Sequence, residues 1–149
     1  MNRTEPMPRT HARTAGQATR PQSFCVGACS RAGGAADAVH LPAGTAQVIT
    51  AGMPGLTPTG ALPETFEAEA QQVWVNVRKA LLAAGACLRD VVSVRACLTA
   101  PADIPAFERA TARFLEHDVV TSLMVVHQLR RPGMRVQVEV VATPPAADP

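Results

Sequence analysis

The spacing of apolar residues changes after Pro63, and this change limits the possible folds more than any other feature of the chain. Six apolar residues recur there at steps of three and four, the period of an amphipathic helix. They are Phe66, Ala70, Val73, Val77, Leu81 and Ala84. Because Gly85 supplies a stop signal, the pattern predicts a first helix over about 64–84.

The next segment, DVVSVRACL (90–98), alternates apolar and polar residues and therefore predicts a strand. Val92, Val94, Ala96 and Leu98 are expected on one face, and Arg95 on the other. A second helix is predicted from the apolar positions Ile104, Phe107, Thr111 and Phe114, which share one side. Two further strands are predicted in VVTSLMVVHQL (119–129) and, after the turn RRPG, in MRVQVEVVA (134–142).

Short apolar runs before the first helix, SFCVGACS (23–30) and AQVITAG (46–52), predict two or three more strands. The resulting order is typical of an α+β protein with two helices on one face of a sheet. The other face would then be bare, and the expected alternation places on it Arg95, Cys97, Thr121, His127, Gln137 and Glu139. A face of mixed polarity suits a subunit interface that contains a pocket.

Length and composition indicate one small globular domain, because 149 residues with 47% apolar content can bury a real core. The predicted boundaries are a disordered basic tail at 1–22, a domain at 23–143 and a Pro-rich tail at 144–149. The chain has 14 basic and 12 acidic residues, and four of the arginines but only one glutamate lie in the N-terminal tail. The domain itself is therefore nearly neutral, which argues against nucleic acid as a partner.

The four cysteines, Cys25, Cys29, Cys87 and Cys97, are interpreted as free thiols, since a chain of this size does not need disulfides. Their spacing does not fit a zinc site, so neither a metal nor another cofactor is expected. No stretch is long and apolar enough for a membrane span, and the start of the chain has no apolar signal segment. The sequence therefore predicts a cytoplasmic protein without a membrane partner.

Several short segments, taken in order, resemble the RidA/YjgF family, the reactive intermediate deaminases long called endoribonuclease L-PSP. The resemblance runs from about residue 24 to 142. It is carried by Ala51–Gly52 after a strand, Gln72 and Asn76 in the first helix, LLAAG (81–85), DVV (90–92), AD (102–103) and LRRPGMRVQVEVVA (129–142). It implies a chorismate-mutase-like fold and a homotrimer with three pockets between subunits. It also implies hydrolysis of 2-imino or enamine acids to keto acids without metal or cofactor.

Two of the pocket positions that this resemblance implies have lost the family's charged groups. The arginine that holds the substrate carboxylate falls on Thr121, and the glutamate that handles the hydrolytic water falls on Gln137. A hydroxyl offers one neutral hydrogen bond where a guanidinium offers two charged ones, so binding of an imino acid should weaken by about 2 to 4 kcal/mol. Gln137 cannot accept a proton, so the family's usual mechanism is not expected here.

Other pocket positions are also carried over from the resemblance. The pocket tyrosine falls on or near Cys29, the helix asparagine on Glu108 and the pocket cysteine on Leu123, whereas the pocket glycine is kept at Gly52. We expect Gln72 and Asn76 to tie the first helix to the backbone rather than to touch a ligand.

The candidate catalytic residues are Cys29 and Glu108 for proton transfer and Arg95 for an anionic group. The candidate substrate-binding residues are Gly52, Thr121, Leu123, Gln137 and Glu139. Alternatives remain open for the catalytic set: Cys29 as a small buried apolar residue, Glu108 as solvated helix surface and Arg95 as the ion-pair partner of Glu139. His127 is expected to be a hydrogen-bonded core or interface residue.

Three functions are consistent with these residues. The first is a divergent enzyme that acts on an imine, enamine or keto intermediate of a biosynthetic pathway by acid–base or cyclisation chemistry. The second is a conventional deaminase with relocated residues, and the third is a ligand-binding trimer without catalysis.

Overall fold

The computed structural model of the protein describes residues 20–28, 31 and 35–145. That part of the chain forms seven strands and two α-helices, with short 3-10 turns at Leu88–Asp90 and Pro101–Asp103. Four strands precede the first helix, where two or three were predicted, and the later elements follow the predicted order. The elements are β1 (Gln22–Phe24), β2 (Ala38–His40), β3 (Val48–Ile49), β4 (Met53–Pro54), α1 (Phe66–Ala83), β5 (Val91–Leu98), α2 (Ile104–Phe114), β6 (Val120–Val125) and β7 (Val136–Ala142).

Five strands form one mixed sheet, in which β7 and β5 are central. β5 runs parallel to β6 and antiparallel to β7, while β3 and β4 pair with successive parts of β7 along its other side. β1 and β2 form a separate two-stranded sheet. The α+β class with a mixed sheet and two helices is thus confirmed.

The helix α1 begins and ends at local signals. The Thr65 side chain caps it by accepting a hydrogen bond from the backbone N–H of Ala68 at 3.2 Å, which satisfies one of the free donors of the first turn. At the other end Gly85 adopts a positive φ of 78°, a conformation that favours glycine. The helix begins two residues later and ends one residue earlier than the predicted 64–84, a difference common at helix ends, which fray.

The core lies between the two helices and the sheet, and Trp74 is at its centre. Its indole stacks against Phe107 and Phe114 with ring centroids 6.5 Å and 6.2 Å away, within the usual range for aromatic pairs. The indole N–H donates to the Thr111 hydroxyl at 3.1 Å, so the buried polar group is paired. The single Trp therefore joins α1 to α2, and both helices cover the same face of the sheet.

A β-bulge at the start of β5 changes which valine enters the core. Val91 pairs with Ala142 and Ser93 pairs with Val141, so Val92 is one residue more than the partner strand can match. Val91 and Val94 are both buried, whereas Val92 is only half-buried. The prediction that Val92 shares the core face was wrong, because simple alternation does not continue through a bulge.

The predicted strand 119–129 is longer than β6, which ends at Val125. His127 lies in the bend that follows and is exposed, so it does not share a strand face with Thr121. Arg135, which alternation would place on the same face as Gln137, lies just before β7 and turns to Glu69 of α1 instead. Among the described residues, no helix is long and apolar enough to cross a membrane.

Candidate functional site

The face of the sheet opposite the helices carries three rows of side chains, which strand pairing defines. In a sheet, residues directly opposite each other on neighbouring strands point to the same face. We call this face the open face. Its first row is Val120, Ser93, Val141 and Ile49; its second is Ser122, Arg95 and Glu139; its third is Met124, Cys97, Gln137 and Pro54.

The register of β6 corrects the predicted position of two candidate residues. Thr121 pairs with Val94, and Leu123 pairs with Ala96, which are both core residues beneath the helices. Leu123 itself packs against the core. Thr121 and Leu123 therefore belong to the helix side of the sheet and not to the open face. The β6 residues that do point to the open face are Val120, Ser122 and Met124.

The charged residues of the second row form a partly exposed ion pair. Nη1 of Arg95 lies 3.4 Å from Oε1 of Glu139, and the two side chains are 61% and 36% exposed. Arg95 also lies directly beside Ser122 in the register. The expected ion pair is thus present, while both partners remain accessible from the open face.

The third row brings Gly52 and Gln137 into contact. Gln137 pairs with Pro54, and its side chain bends over Gly52, two residues before Pro54. A Cβ on Gly52 would lie 2.9 Å from Cγ of Gln137 and still closer to its amide group. Gly52 thus leaves the space that the Gln137 amide occupies. The half-buried Cys97, which had not been a candidate, lies directly beside Gln137.

The remaining candidate residues lie away from this cluster. Glu108 is exposed on α2, in the helix layer on the opposite side of the sheet from Arg95. Cys29 lies outside the described residues, so its role stays a prediction. The described cysteines, Cys25, Cys87 and Cys97, are free thiols.

The edge of the open face at Gly52–Pro54 is held by α1. The Asn76 side-chain amide donates to the backbone oxygens of Pro54 and Leu56 at 2.8 and 2.9 Å. Its own oxygen accepts from Gln72 at 2.9 Å. Asn76 therefore ties the helix to the backbone, as the sequence predicts, while Gln72 bonds the Asn76 side chain and not the backbone.

A buried ion pair that sequence reasoning missed holds the start of β7 to α1. Glu69 of α1 is fully buried and accepts from Nε of Arg135 at 2.7 Å. It also accepts from the backbone N–H groups of Arg135 and Val136 at 2.8 and 3.3 Å. The Arg135 guanidinium donates further to the backbone oxygen of Pro63 at 2.8 Å. The helical spacing of α1 gave no hint of this pair, because its partners lie far apart in the sequence.

The site offers hydrogen-bond donors and acceptors but no ligand set for a metal. Across the described ranges, no group of three or more His, Cys, Asp or Glu side chains is placed to hold an ion. The open face can present a guanidinium, a carboxylate, a hydroxyl, a thiol and a primary amide within three adjacent rows. Such groups can bind and polarise a small carbonyl or imine compound.

Comparison with known proteins gives a family and a set of similar structures. A family model described as Endoribonuclease L-PSP matches residues 35–144. RidA from the Antarctic bacterium Psychrobacter sp. is 30% identical, with 69% of this chain and 84% of that chain covered and a TM-score of 0.63. No match was found among the curated proteins.

Two other solved structures agree. A Rid-family protein of unknown function from Yersinia pestis is 27% identical, with 72% of this chain and 85% of that chain covered and a TM-score of 0.65. The YjgF gene product of E. coli is 25% identical, with 74% of this chain and 91% of that chain covered and a TM-score of 0.61. With most of its domain matched by the family model, the chain belongs to the endoribonuclease L-PSP family, which includes the RidA and YjgF proteins.

Proposed function

We propose that the protein is a divergent member of its family that acts on an imine, enamine or keto intermediate of a biosynthetic pathway. The reaction would be acid–base or cyclisation chemistry at pockets between the subunits of a homotrimer. Family membership supports an imine-deaminase-like or related small-molecule function in general. The finer assignment rests on the residues of the open face.

The observation that carries the proposal is the chemistry of the second and third rows. The resemblance implies an arginine at Thr121, which lies on the helix side of β6, whereas the open-face residue next to it is the hydroxyl Ser122. A neutral amide, Gln137, stands where the resemblance implies a glutamate. The guanidinium of the site is instead on the next strand, at Arg95, beside Glu139.

In this proposal the open-face residues bind and polarise the substrate. Arg95 and the Ser122 hydroxyl would donate to a carbonyl or imine group, and the Gln137 amide would complete the contacts beside Gly52. Glu139 would accept a hydrogen bond from the substrate. Proton transfer is assigned to Cys29 and Glu108, and because Glu108 lies on the helix side of its own sheet, it would have to reach a pocket of another subunit.

The homotrimer is proposed because the open face needs a cover. Ile49 is 65% exposed in the single chain, and Val120, Val141 and Met124 surround the polar rows with further apolar surface. Packing this surface against other copies would remove it from water and enclose the polar row in a pocket.

A coupled assay with 2-aminoacrylate tests the proposal. Hydrolysis of this enamine gives a keto acid and ammonia, and a family deaminase that keeps the arginine and the glutamate serves as the positive control. We expect the wild-type protein to be at least about thirtyfold slower than the control, as the loss of about 2 kcal/mol of carboxylate binding implies. Keto-acid release at the control's rate would overturn the proposal and favour a conventional deaminase with relocated residues.

Single substitutions separate catalysis from ligand binding alone. With the pathway intermediate as substrate, Arg95→Gln, Cys29→Ala and Glu108→Gln are each expected to lower turnover by tenfold or more, in the range for a lost charged contact or proton-transfer group, about 10- to 1000-fold. Undiminished turnover in all three variants would show that the catalytic assignment is wrong. Absence of any turnover with retained binding would favour the ligand-binding trimer.

A further inference from the structure

The charges of the open face are balanced by one neighbouring pair. Among the side chains of its three rows, Arg95 is the single cation and Glu139 the single anion, and they lie in the same row. The other members of the rows are hydroxyl, thiol, amide or apolar side chains. These three rows therefore have no net charge.

The position of Glu139 decides what Arg95 can bind. Any carboxylate that docks on the guanidinium must approach the Glu139 carboxylate, which already lies 3.4 Å from Nη1. Two anions so close repel each other, and the repulsion grows when a covering surface excludes water. A neutral carbonyl or imine group accepts a hydrogen bond from the same guanidinium without this repulsion.

The neighbours of the pair also favour an uncharged ligand. Ser122 offers a neutral hydrogen bond beside Arg95 in the same row, and Gln137 offers another in the next row. The first row supplies apolar contacts through Val120, Val141 and Ile49. An ordinary binding site for a small uncharged molecule has this composition, with an apolar wall and a few directed polar groups.

We infer that Glu139 is a specificity-determining residue, which neutralises Arg95 so that the open face selects uncharged carbonyl, imine or enamine compounds over carboxylates. The inference rests on the proposed function only in taking the open face as the ligand-binding face. It adds the charge class of the substrate and a residue that sets it.

The experiment is a pair of ligand titrations of the full-length protein, monitored by NMR. The probes are 2-oxobutanamide and 2-oxobutanoate, which have the same carbon skeleton and differ in charge, and the signal is the Nε–H group of Arg95. In the wild-type protein we expect the amide to bind more tightly than the carboxylate. In Glu139→Gln, the dissociation constant of the carboxylate should fall by about threefold to tenfold relative to that of the amide. This is the range for a partly exposed charged contact.

Two control variants keep the result specific. Glu116→Gln removes the same charge from an exposed position after α2 and should leave the ratio at the wild-type value. Glu139→Gln combined with Arg95→Gln should lose the gain in carboxylate binding, as followed by the backbone signal of residue 95.

The outcomes separate this inference from the proposed function, because no turnover is needed. A wild-type protein that prefers the carboxylate, or a Glu139→Gln variant with an unchanged ratio, would overturn the inference whatever the assay with 2-aminoacrylate shows. The inference is also overturned if the Arg95 signal responds to neither probe, in the wild-type protein and in Glu139→Gln alike.

Discussion

Two ion pairs lie on opposite sides of the sheet and differ in length, burial and hydrogen bonding. Glu69 and Arg135 meet at 2.7 Å with the glutamate fully buried, and the glutamate accepts two backbone N–H groups in addition. Arg95 and Glu139 meet at 3.4 Å with both side chains partly exposed. A buried pair with all its hydrogen bonds made is costly to break, whereas an exposed pair contributes little to stability.

This difference separates the two roles of the sheet. The first pair joins the start of α1 to the start of β7 and so belongs to the fold, together with the core on the helix side. The second pair is accessible, weakly held and surrounded by neutral polar groups, which makes it available to a ligand.

The largest effect is expected from Glu69→Ala. Removing the carboxylate leaves the partly buried Arg135 guanidinium without its counter-ion and two backbone N–H groups without their acceptor. The free energy of unfolding should fall by about 3 to 5 kcal/mol. Urea denaturation at one fixed protein concentration measures it, since an oligomer's stability depends on concentration.

Glu139→Ala is the matched control, because it removes the same side chain from the exposed pair. Its cost should be below about 1 kcal/mol. Equal losses in the two variants would refute the division between a structural and an accessible pair.

A smaller effect is expected on assembly from Ile49→Lys. Ile49 ends the first row of the open face and is 65% exposed in the single chain. If a second copy covers this face, an ammonium group there should weaken association by about 2 to 4 kcal/mol, even with part of the lysine stem remaining buried. Sedimentation equilibrium should show a trimer for the wild type and a shift towards single chains for the variant.

Leu82→Lys provides the comparison on the helix side. Leu82 lies on α1 with a similar exposure of 61%, so the same substitution should leave the trimer intact. If Leu82→Lys dissociates while Ile49→Lys stays trimeric, the interface lies on the helix side of the sheet and not on the open face.

Two glycines give a still smaller and more local contrast. A Cβ on Gly55 would lie 2.6 Å from Cγ of Glu69 and against the backbone of the same residue, so Gly55→Ala must shift the start of α1. Its cost should be about 1 to 3 kcal/mol. A Cβ on Gly52 meets the flexible Gln137 side chain. That side chain can rotate away at a cost of about 0.5 to 1.5 kcal/mol.

Side-chain amide signals distinguish the two variants. Gly52→Ala should move the Gln137 amide signal in an NMR spectrum, while Gly55→Ala should leave it near its wild-type position. An unmoved Gln137 signal in Gly52→Ala would contradict the close contact between these two residues.

The order of elements from the first helix onward was predictable because it depends on local patterns, whereas β2 and β4 lie outside the apolar runs from which strands were predicted. Apolar steps of three and four ending at Gly85 defined α1, and alternation defined β5 and β7. The bulge at Val92 was not predictable, because it depends on how β5 pairs with β7, a strand much later in the chain. The same is true of the bond between Glu69 and Arg135, which joins two segments that are even further apart in the sequence.

The open face was predictable in part. Arg95, Gln137 and Glu139 lie on central strands whose buried valines fix the direction of every other side chain, and these three were placed correctly. β6 is different, since it pairs only with β5 among the strands of its sheet and has one hydroxyl and two apolar residues on each side. A strand with two similar faces does not specify its own register, and a shift of one residue exchanges Thr121 with Ser122.

The turnover of two double variants decides whether ligands bind on the open face. Ser122→Arg with Gln137→Glu would restore a guanidinium and a carboxylate on the open face, and Thr121→Arg with Gln137→Glu would place the same guanidinium on the helix side. With 2-aminoacrylate, the first variant should gain at least about tenfold in kcat/KM over Gln137→Glu alone, and the second should gain nothing. A gain by the Thr121→Arg variant without one by the Ser122→Arg variant would show that the ligand does not bind on the open face.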